Sequence, residues 1–247
     1  MPSSSFRHTE GSDPPSAAPV RRQVTLAAEP QPLLVHVIEF PHDGLVPGAF
    51  AQAGIACPEA IQRSVYKRQL EFFFGRLAAR DALATLGLAH EHVALGAQRQ
   101  PVWPSDVIGS ITHTHSVAAA VAQRPGAYRG IGIDAEQLID EPTCQSVAST
   151  VAGPQELDYL RALPELSWQA ALTIVFSAKE SFYKAVYANV GRIFDFSAVH
   201  VVKLDSARQR LTLMLAEDLN DRFRRGQAYE AGFTFIRPDT VLTHVVW

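Results

Sequence analysis

The chain has 247 residues, of which 47% are hydrophobic and 19% are charged. This composition is ordinary for a globular protein, and the length allows one large domain or two small ones. A net charge of −3 argues against a general nucleic-acid binder. The two cysteines, Cys57 and Cys144, have no metal-type spacing, and no apolar run approaches the roughly 18 residues of a membrane span. We therefore expect a cytoplasmic protein without a membrane span or a nucleic-acid partner.

The first half of the chain begins with a segment that lacks apolar periodicity. Residues 1–32 are rich in Ser, Pro, Ala and Gly, so we expect a disordered lead-in. A strand is predicted at residues 33–38, where an apolar run lies between Pro32 and a turn. Apolar residues at helical spacing then predict one long helix over residues 58–86, which Gly87 ends.

The second half combines helical patterns with strand patterns. Helices are predicted at residues 142–150, 154–163, 168–175 and 176–187, and alternating strands at residues 198–204, 209–215, 229–236 and 240–246. Strands separated by regular turn signals indicate an antiparallel sheet that the helices cover. The fold class predicted from these patterns is α+β.

A short acidic strand occupies residues 130–136. Ile131 and Ile133 alternate with Asp134 and Glu136, so the two carboxylates project from the same face of the strand. Carboxylates held side by side repel unless a cation lies between them, and Mg²⁺ is commonly held in this way. The alternative is a strand whose polar face is merely solvated.

Candidate anion-binding residues lie upstream of the acidic strand. Arg68, Arg76 and Arg80 share one side of the long predicted helix, where their guanidinium groups suit phosphate oxygens. Their alternative role is a solvated basic face paired with Glu71 and Asp81.

A second candidate for phosphate binding is the stretch that ends at His113. Small and hydroxyl-bearing residues, including Gly109 and Thr112, stand beside this histidine, and their open amides and hydroxyls suit a phosphate. A lone histidine before an apolar run is also typical of a structural hydrogen-bonding residue.

Glu180 has both a structural and a functional interpretation. Ser177 and Glu180 fit a capping box, and Glu180 with Lys184 forms the favoured i,i+4 ion pair. A helix N-terminus at this point would also be a good place to meet a phosphate.

Four separated segments together resemble one family, the 4′-phosphopantetheinyl transferases of the surfactin and enterobactin synthetase type. They are KRQLEFFFGR at residues 67–76, RQPVWP at residues 99–104 leading into GSITH at residues 109–113, GIDAE at residues 132–136, and FSAKESFYK at residues 176–184. The first two segments are more similar to the enterobactin-type branch.

The resemblance implies two similar α+β halves related by a pseudo-twofold axis, with the active site and coenzyme A in the cleft between them. Residues 33–128 would form the N-terminal half, and residues 129–247 would form the half with the metal carboxylates. The implied reaction transfers the 4′-phosphopantetheine group of coenzyme A to a serine of an apo acyl or peptidyl carrier protein, releases adenosine 3′,5′-bisphosphate and depends on Mg²⁺. Such a chain is expected to act as a monomer.

The resemblance also assigns roles to individual residues. Asp134, Glu136 and Glu180 would bind Mg²⁺, and Glu180 would deprotonate the serine directly or through a water. The residues assigned to coenzyme A are Arg68 and Arg76 at the nucleotide phosphates, Thr112 and His113 at the pyrophosphate, and Lys184 at a phosphate or the leaving group. Arg99 would be the counterpart of a lysine that some relatives carry, and its contact with coenzyme A stays open at this point.

Two other functions stay open at this point. One is a non-catalytic coenzyme A or nucleotide binder that keeps the fold. The other is a Mg²⁺-dependent nucleotide hydrolase, although the sequence has no Walker-type glycine loop. The carrier could serve nonribosomal peptide or siderophore, polyketide or fatty-acid synthesis.

Overall fold

A computed structural model of the chain describes residues 18–247. Within that range the strands are β1 (Val20–Leu26), β2 (Leu33–Glu39), β3 (Ala94–Leu95), β4 (Pro101–Val102), β5 (Ile108–His113), β6 (Val117–Gln123), β7 (Ile131–Gln137), β8 (Val199–Asp205), β9 (Arg210–Leu215), β10 (Ala228–Arg237) and β11 (Thr240–Val246). The helices are α1 (Ala49–Gln52), α2 (Glu59–Gln62), α3 (Tyr66–Ala84), α4 (Glu141–Val151), α5 (Pro154–Arg161) and α6 (Trp168–Val190). None of these helices is both long enough and apolar enough for a membrane span.

The first sheet carries the long helix α3 on one face. Its strands are all antiparallel and follow the order β1-β2-β6-β5. Strand β6 contributes the buried residues Ala118 and Ala120, whose small side chains let α3 lie close to the sheet. Phe74 of α3 is fully buried and stacks on Phe40, with the ring centroids 4.2 Å apart.

The second sheet carries helix α6. Its strands are antiparallel in the order β7-β11-β10-β9-β8, and α6 packs across β7 and β11. Gly132 of β7 makes this packing possible, because a Cβ at this position would lie 1.8 Å from the carbonyl oxygen of Ser181. The helix therefore lies directly over the same face of β7 that carries Asp134 and Glu136.

The two sheets meet around a shared hydrophobic cluster. Strands from both contribute to it, including Val35 and Val37 from one sheet and Ile131, Ile133 and Leu242 from the other. The first sheet is built from residues 20–123 and the second from residues 131–246. The boundary predicted between residues 128 and 129 falls in the intervening segment, and the two halves with their pseudo-twofold relation stay a prediction.

The α+β class is confirmed, and so are the strands predicted at residues 33–38 and in the last third of the chain. The prediction of a disordered lead-in through residue 32 is wrong for β1, whose full length pairs with β2. Its alternating sequence, VRRQVTL, was obscured by the proline-rich flanks. Residues 1–17 lie outside the described residues.

Two helix predictions are corrected. The single helix expected over residues 58–86 is interrupted, because Val65 is extended (φ −60°, ψ 152°) and α3 begins after it. Conversely, the two helices expected over residues 168–187 are the continuous helix α6, which Ser167 caps. Ser177 is buried inside this helix, so the capping box predicted with Glu180 is wrong. The helix N-terminus expected there to meet a phosphate does not exist.

Candidate active site

Strand β7 and helix α6 bring the predicted acidic residues and Lys184 together. Asp134 and Glu136 lie on the face of β7 that α6 covers, and Asp134 is only 3% exposed. Glu180 and Lys184 are four residues apart, about one turn of α6, so their side chains project from the same side of the helix. The Lys184 ammonium lies 2.6 Å from the Asp134 carboxylate, which joins the strand to the helix by a partly buried ion pair.

The two carboxylate oxygens of Asp134 have different surroundings. Oδ1 accepts hydrogen bonds from Lys184 Nζ at 2.6 Å and from the Thr112 hydroxyl at 3.1 Å. Oδ2 is buried and has no hydrogen-bond partner within residues 18–247. A buried carboxylate oxygen left without a donor is costly, and a bound ion can supply the interaction that such an atom lacks.

Negative charge exceeds positive charge around Asp134. Burial and then the neighbouring Asp134 raise the pKa of Glu136 to about 8, although Lys184 opposes the shift. Burial also raises the pKa of Glu180, again with Lys184 opposing and Asp134 adding to the shift. One ammonium therefore does not neutralise the three carboxylates, and a further cation would stabilise their ionised forms.

These residues fit a bound Mg²⁺ ion only after a local rearrangement. Among residues 18–247, no three His, Cys, Asp or Glu side chains form a ready-made set of metal ligands. The ammonium of Lys184 occupies one oxygen of Asp134, and the mutual repulsion of the carboxylates favours their separation. The unpartnered Oδ2 and the raised carboxylate pKa values nevertheless match a hard cation that prefers oxygen ligands.

His113 lies at the end of β5 in contact with Arg68. Its Nε2 is 3.0 Å from the Arg68 guanidinium, and its Nδ1 is 3.7 Å from the carboxylate of Glu71. Burial, followed by the positive charges of Arg68 and Lys184, lowers the pKa of His113 to about 4. The imidazole is therefore neutral at pH 7. Because guanidinium groups only donate, Nε2 must accept the hydrogen bond and Nδ1 carries the proton.

Arg76 occupies a different environment from Arg68. Its guanidinium donates to the carbonyl of Ala94 at 3.2 Å and lies over the ring of Phe72, 4.7 Å from the centroid. Burial and the nearby Arg68 lower the pKa of Arg76 to about 10. Together with Arg80 it lines a small cavity between α3 and the segment that leads into β3. The nucleotide role expected for Arg76 stays a prediction, and it requires release from the carbonyl of Ala94.

A large cavity of about 820 Å³ extends from Lys184 along the last turns of α6 to the β3–β4 hairpin. Its lining includes Arg99, Trp103, Arg129 and Tyr187. The Tyr187 hydroxyl donates to the side chain of Gln98 in the hairpin, so the helix and the hairpin are joined across one edge of the cavity.

Trp103 has an unpaired donor at this cavity. Its indole Nε1 is buried and has no acceptor in the part of the chain that the structure describes. Gly109 leaves room for the indole, since a Cβ there would lie 2.6 Å from the tryptophan ring.

The sequence pattern did not indicate several of these contacts. The sequence marked Thr112 as a phosphate ligand, but its hydroxyl contacts Asp134. Glu71 appeared only as a partner for the basic face of α3, although it also lies beside His113. No sequence signal distinguished the unpaired indole of Trp103. These contacts join residues far apart in the chain, so local periodicity carries no information about them.

Comparison with known proteins identifies the family. Residues 57–123 match the sequence model of the "4′-phosphopantetheinyl transferase N-terminal domain", and residues 130–234 match that of the "4′-phosphopantetheinyl transferase superfamily". Enterobactin synthase component D of Salmonella typhi is 32% identical over 179 residues, which cover 72% of this chain and 74% of the relative. The chain belongs to the 4′-phosphopantetheinyl transferase superfamily. The family resemblance seen in the sequence is therefore confirmed, and the protein is a transferase.

Other relatives of this transferase have the same family name. The 4′-phosphopantetheinyl transferase Npt of Nocardia iowensis is 33% identical over 165 residues, covering 67% of this chain and 69% of the relative. The 4′-phosphopantetheinyl transferase Svp of Streptomyces mobaraensis is 37% identical over 140 residues, or 55% of each chain. The two matched stretches each supply part of the candidate site: the first includes α3 and β5, and the second includes β7 and α6.

Proposed function

We propose that this transferase moves the 4′-phosphopantetheine group of coenzyme A to a serine of an apo acyl or peptidyl carrier protein, with Mg²⁺, and releases adenosine 3′,5′-bisphosphate. Family membership supports the transfer. The observation that most supports a Mg²⁺-dependent reaction at this cleft is the buried, unpartnered Oδ2 of Asp134, beside two carboxylates with raised pKa values. That environment favours a cation.

The proposed ligands of Mg²⁺ are Asp134 and Glu136 from β7 and Glu180 from α6. Carboxylates with bound phosphates are a common environment for this ion. When bound, the ion supplies charge neutralisation and Lewis acidity to the pyrophosphate of coenzyme A. If Lys184 released Asp134 Oδ1, its ammonium could donate to a phosphate oxygen instead, because Nζ carries three N–H donors and no acceptor.

The remaining polar residues are proposed to bind the phosphates of coenzyme A and to accept the proton of the carrier serine. In the reaction, the serine oxygen attacks the phosphorus that bears the pantetheine arm, and the bond from this phosphorus to the bridging oxygen breaks. We assign the serine proton to Glu180, directly or through a water, because a raised pKa brings a carboxylate closer to the pH at which it works as a base. His113 and Arg68 are proposed to contact the phosphates, where their mutual hydrogen bond would be exchanged for bonds to phosphate oxygens.

We place coenzyme A in the large cavity beside Lys184. Its volume of about 820 Å³ lies within the range that cofactor-sized ligands occupy. Arg99 and Arg129 add positive charge to its lining, which suits a molecule with several phosphates. Contacts of Thr112 and Arg76 with coenzyme A would each require the loss of a hydrogen bond seen in this structure, from Thr112 to Asp134 and from Arg76 to the carbonyl of Ala94.

The carrier is proposed to be of the nonribosomal peptide type used in siderophore synthesis, because several relatives are named enterobactin synthase component D. Polyketide and fatty-acid carriers are the other candidates. Since a single chain supplies all the proposed site residues, on α3, β5, β7 and α6 and in the segments that carry Arg99 and Arg129, we propose that the monomer is sufficient for activity.

Intact-protein mass spectrometry tests this function. Apo carriers of the three types are incubated with the transferase and coenzyme A, with Mg²⁺ or with a chelator. We expect a mass gain of one phosphopantetheine group on at least one carrier, only with Mg²⁺. Absence of a gain on every carrier would contradict the transfer. Bisphosphate release without a carrier would favour the hydrolase, and coenzyme A binding without either reaction would favour the non-catalytic binder.

A further inference from the structure

Two hydroxyl groups of β5 join the edges of the two sheets. The backbone N–H of Ile133 donates to Ser110 Oγ at 3.0 Å, and the backbone N–H of Ala135 donates to Thr112 Oγ1 at 2.9 Å. Both hydroxyl-bearing residues are 3% exposed. Ser110 and Thr112 therefore make the same type of buried contact with β7, one on each side of Asp134.

Of these two hydroxyl groups, only that of Thr112 also forms a hydrogen bond with a carboxylate. Because its oxygen already accepts from Ala135 N–H, its own proton is free to be donated, and Asp134 Oδ1 lies 3.1 Å away. The hydroxyl of Ser110 instead faces the backbone carbonyl of Ile133 at 3.5 Å. The two positions thus differ in the acceptor that the hydroxyl faces, which is the Asp134 carboxylate for Thr112 and a backbone carbonyl for Ser110.

This hydrogen bond fixes the orientation of the Asp134 carboxylate. Thr112 and Lys184 both donate to Oδ1, so the carboxylate is held at one oxygen from two directions. The other oxygen, Oδ2, is left buried and unpartnered among the described residues. If Lys184 leaves Oδ1 for a phosphate, as proposed above, the Thr112 hydroxyl still holds that oxygen and leaves Oδ2 for the cation.

The geometry does not favour a direct contact between Thr112 and a phosphate. Its hydroxyl uses its proton on Asp134 and a lone pair on Ala135 N–H, and its residue is almost completely buried. A phosphate contact would require the loss of the bond to Asp134. His113, the next residue, is more exposed and has its imidazole beside Arg68.

We propose that Thr112 is a positioning residue that orients Asp134 so that Oδ2 faces the bound cation, and that it is not a ligand of the coenzyme A phosphates. This inference rests on the proposed function, in which Asp134 binds Mg²⁺. Removing an outer hydrogen-bond partner of a metal ligand typically weakens metal affinity by about 10- to 100-fold. The Thr112 hydroxyl is expected to have an effect of this size.

Binding of Mn²⁺, measured by electron paramagnetic resonance on the full chain without substrates, tests the proposal. We expect Thr112→Val to weaken Mn²⁺ binding about 10- to 100-fold, and Thr112→Ser, which keeps the hydroxyl, to bind like the wild type. Ser110→Ala is the matched control: it removes the equivalent backbone contact and should leave Mn²⁺ affinity unchanged. Thr112→Ala replaces Thr112→Val if circular dichroism shows that the valine variant does not fold.

Coenzyme A binding, measured by calorimetry without metal, distinguishes the two roles of Thr112. We expect Thr112→Val to retain the wild-type affinity for coenzyme A. Unchanged Mn²⁺ affinity in the hydroxyl-free variants would overturn the proposal, as would a loss of coenzyme A affinity alone. If the wild-type protein binds no Mn²⁺, the metal assignment in the proposed function fails and this inference fails with it. If the wild type binds Mn²⁺, the Mn²⁺ affinities of the Thr112 variants test this inference alone.

Discussion

Lys184 places its ammonium 2.6 Å from Oδ1 of Asp134, and this contact joins the last long helix to the acidic strand. The Asp134 side chain is 5% exposed and that of Lys184 is 28% exposed, so water screens the pair only in part. In the protein without metal, Lys184 is thus the counter-ion of a carboxylate that would otherwise be buried and unpaired. Its position explains how β7 and α6 tolerate three neighbouring carboxylates.

Removal of this counter-ion should destabilise the protein without metal. We expect Lys184→Met to lower the free energy of unfolding by about 2 kcal/mol, which is below the range for fully buried pairs because Lys184 is partly exposed. Added Mg²⁺ should stabilise the variant more than the wild type. Urea denaturation with chelator and with Mg²⁺ measures both effects. Lys203→Met removes an exposed ammonium and serves as the control. Equal stability of Lys184→Met and the wild type in chelator would contradict the role of Lys184 as the counter-ion of Asp134.

Mg²⁺ affinity should depend on pH through Glu136. The pKa of this carboxyl is raised to about 8, so the folded protein holds a proton there at neutral pH. A metal ion must displace that proton, and its affinity should therefore increase from about pH 6 and level off above about pH 8. Calorimetric titration across this range measures the dependence. Glu136→Gln should bind more weakly and with a flatter profile, whereas an unchanged profile would show that another group titrates.

His244 should contribute to the loss of stability in acid. Its Nε2–H donates to the carbonyl of Ala27 at 3.1 Å, its Nδ1 is buried without a partner in the described chain, and burial lowers its pKa to about 4. The unfolded chain therefore binds more protons than the folded one between about pH 6.5 and pH 4, so this contribution to stability is present above pH 6.5 and is lost as pH falls.

We expect His244→Gln to show a shallower decrease in the free energy of unfolding across this interval. Urea denaturation at a series of pH values provides the slope. His42→Gln, which removes an exposed imidazole at a surface turn, serves as the control. A parallel pH dependence in His244→Gln and the wild type would exclude His244 as the titrating group.

The N-terminal strand should contribute to the contact between the sheets. Arg22 of β1 donates to the carbonyl of Ile236 in β10 at 2.7 Å, and Arg210 of β9 donates to the carbonyl of Ala27 at 2.8 Å. We expect Arg210→Met to cost about 1 kcal/mol of stability in chemical denaturation. Arg208→Met, which removes an exposed guanidinium two residues away, should have little effect. Equal stability of the two variants would argue against this contact.

The sequence predicted those parts of the fold that local periodicity determines. Strands β8 to β11 and the region of helix α6 followed directly from the spacing of apolar residues. Strand β1 was missed because prolines and small residues surround it, and pairing with β2 decides its conformation. The S-x-x-E pattern at Ser177 and Glu180 is compatible with a cap and with a helix interior, so the local sequence does not distinguish the two, and the structure places both residues inside α6.

The residue types of the site were readable from the sequence, but their pairing was not. The i,i+4 spacing predicted a contact of Lys184 with Glu180, whereas the observed ion pair is with Asp134. A nearly buried carboxylate gains more from an ammonium than a better-solvated one does, so tertiary contact overrides local spacing. Thr112 and Asp134 are 22 residues apart on different sheets, and only the packing of those sheets shows their hydrogen bond.

Asp134→Asn tests the proposed active site most directly, because it removes the charge and keeps the size of the side chain. An apo carrier that the wild type modifies is incubated with coenzyme A, Mg²⁺ and folded variant protein, and its intact mass is followed over time. We predict a rate of phosphopantetheine addition at least roughly a hundredfold below that of the wild type. Asp221→Asn, at a fully exposed side chain, should match the wild type. Modification by Asp134→Asn at the wild-type rate would contradict a reaction that depends on a cation at Asp134.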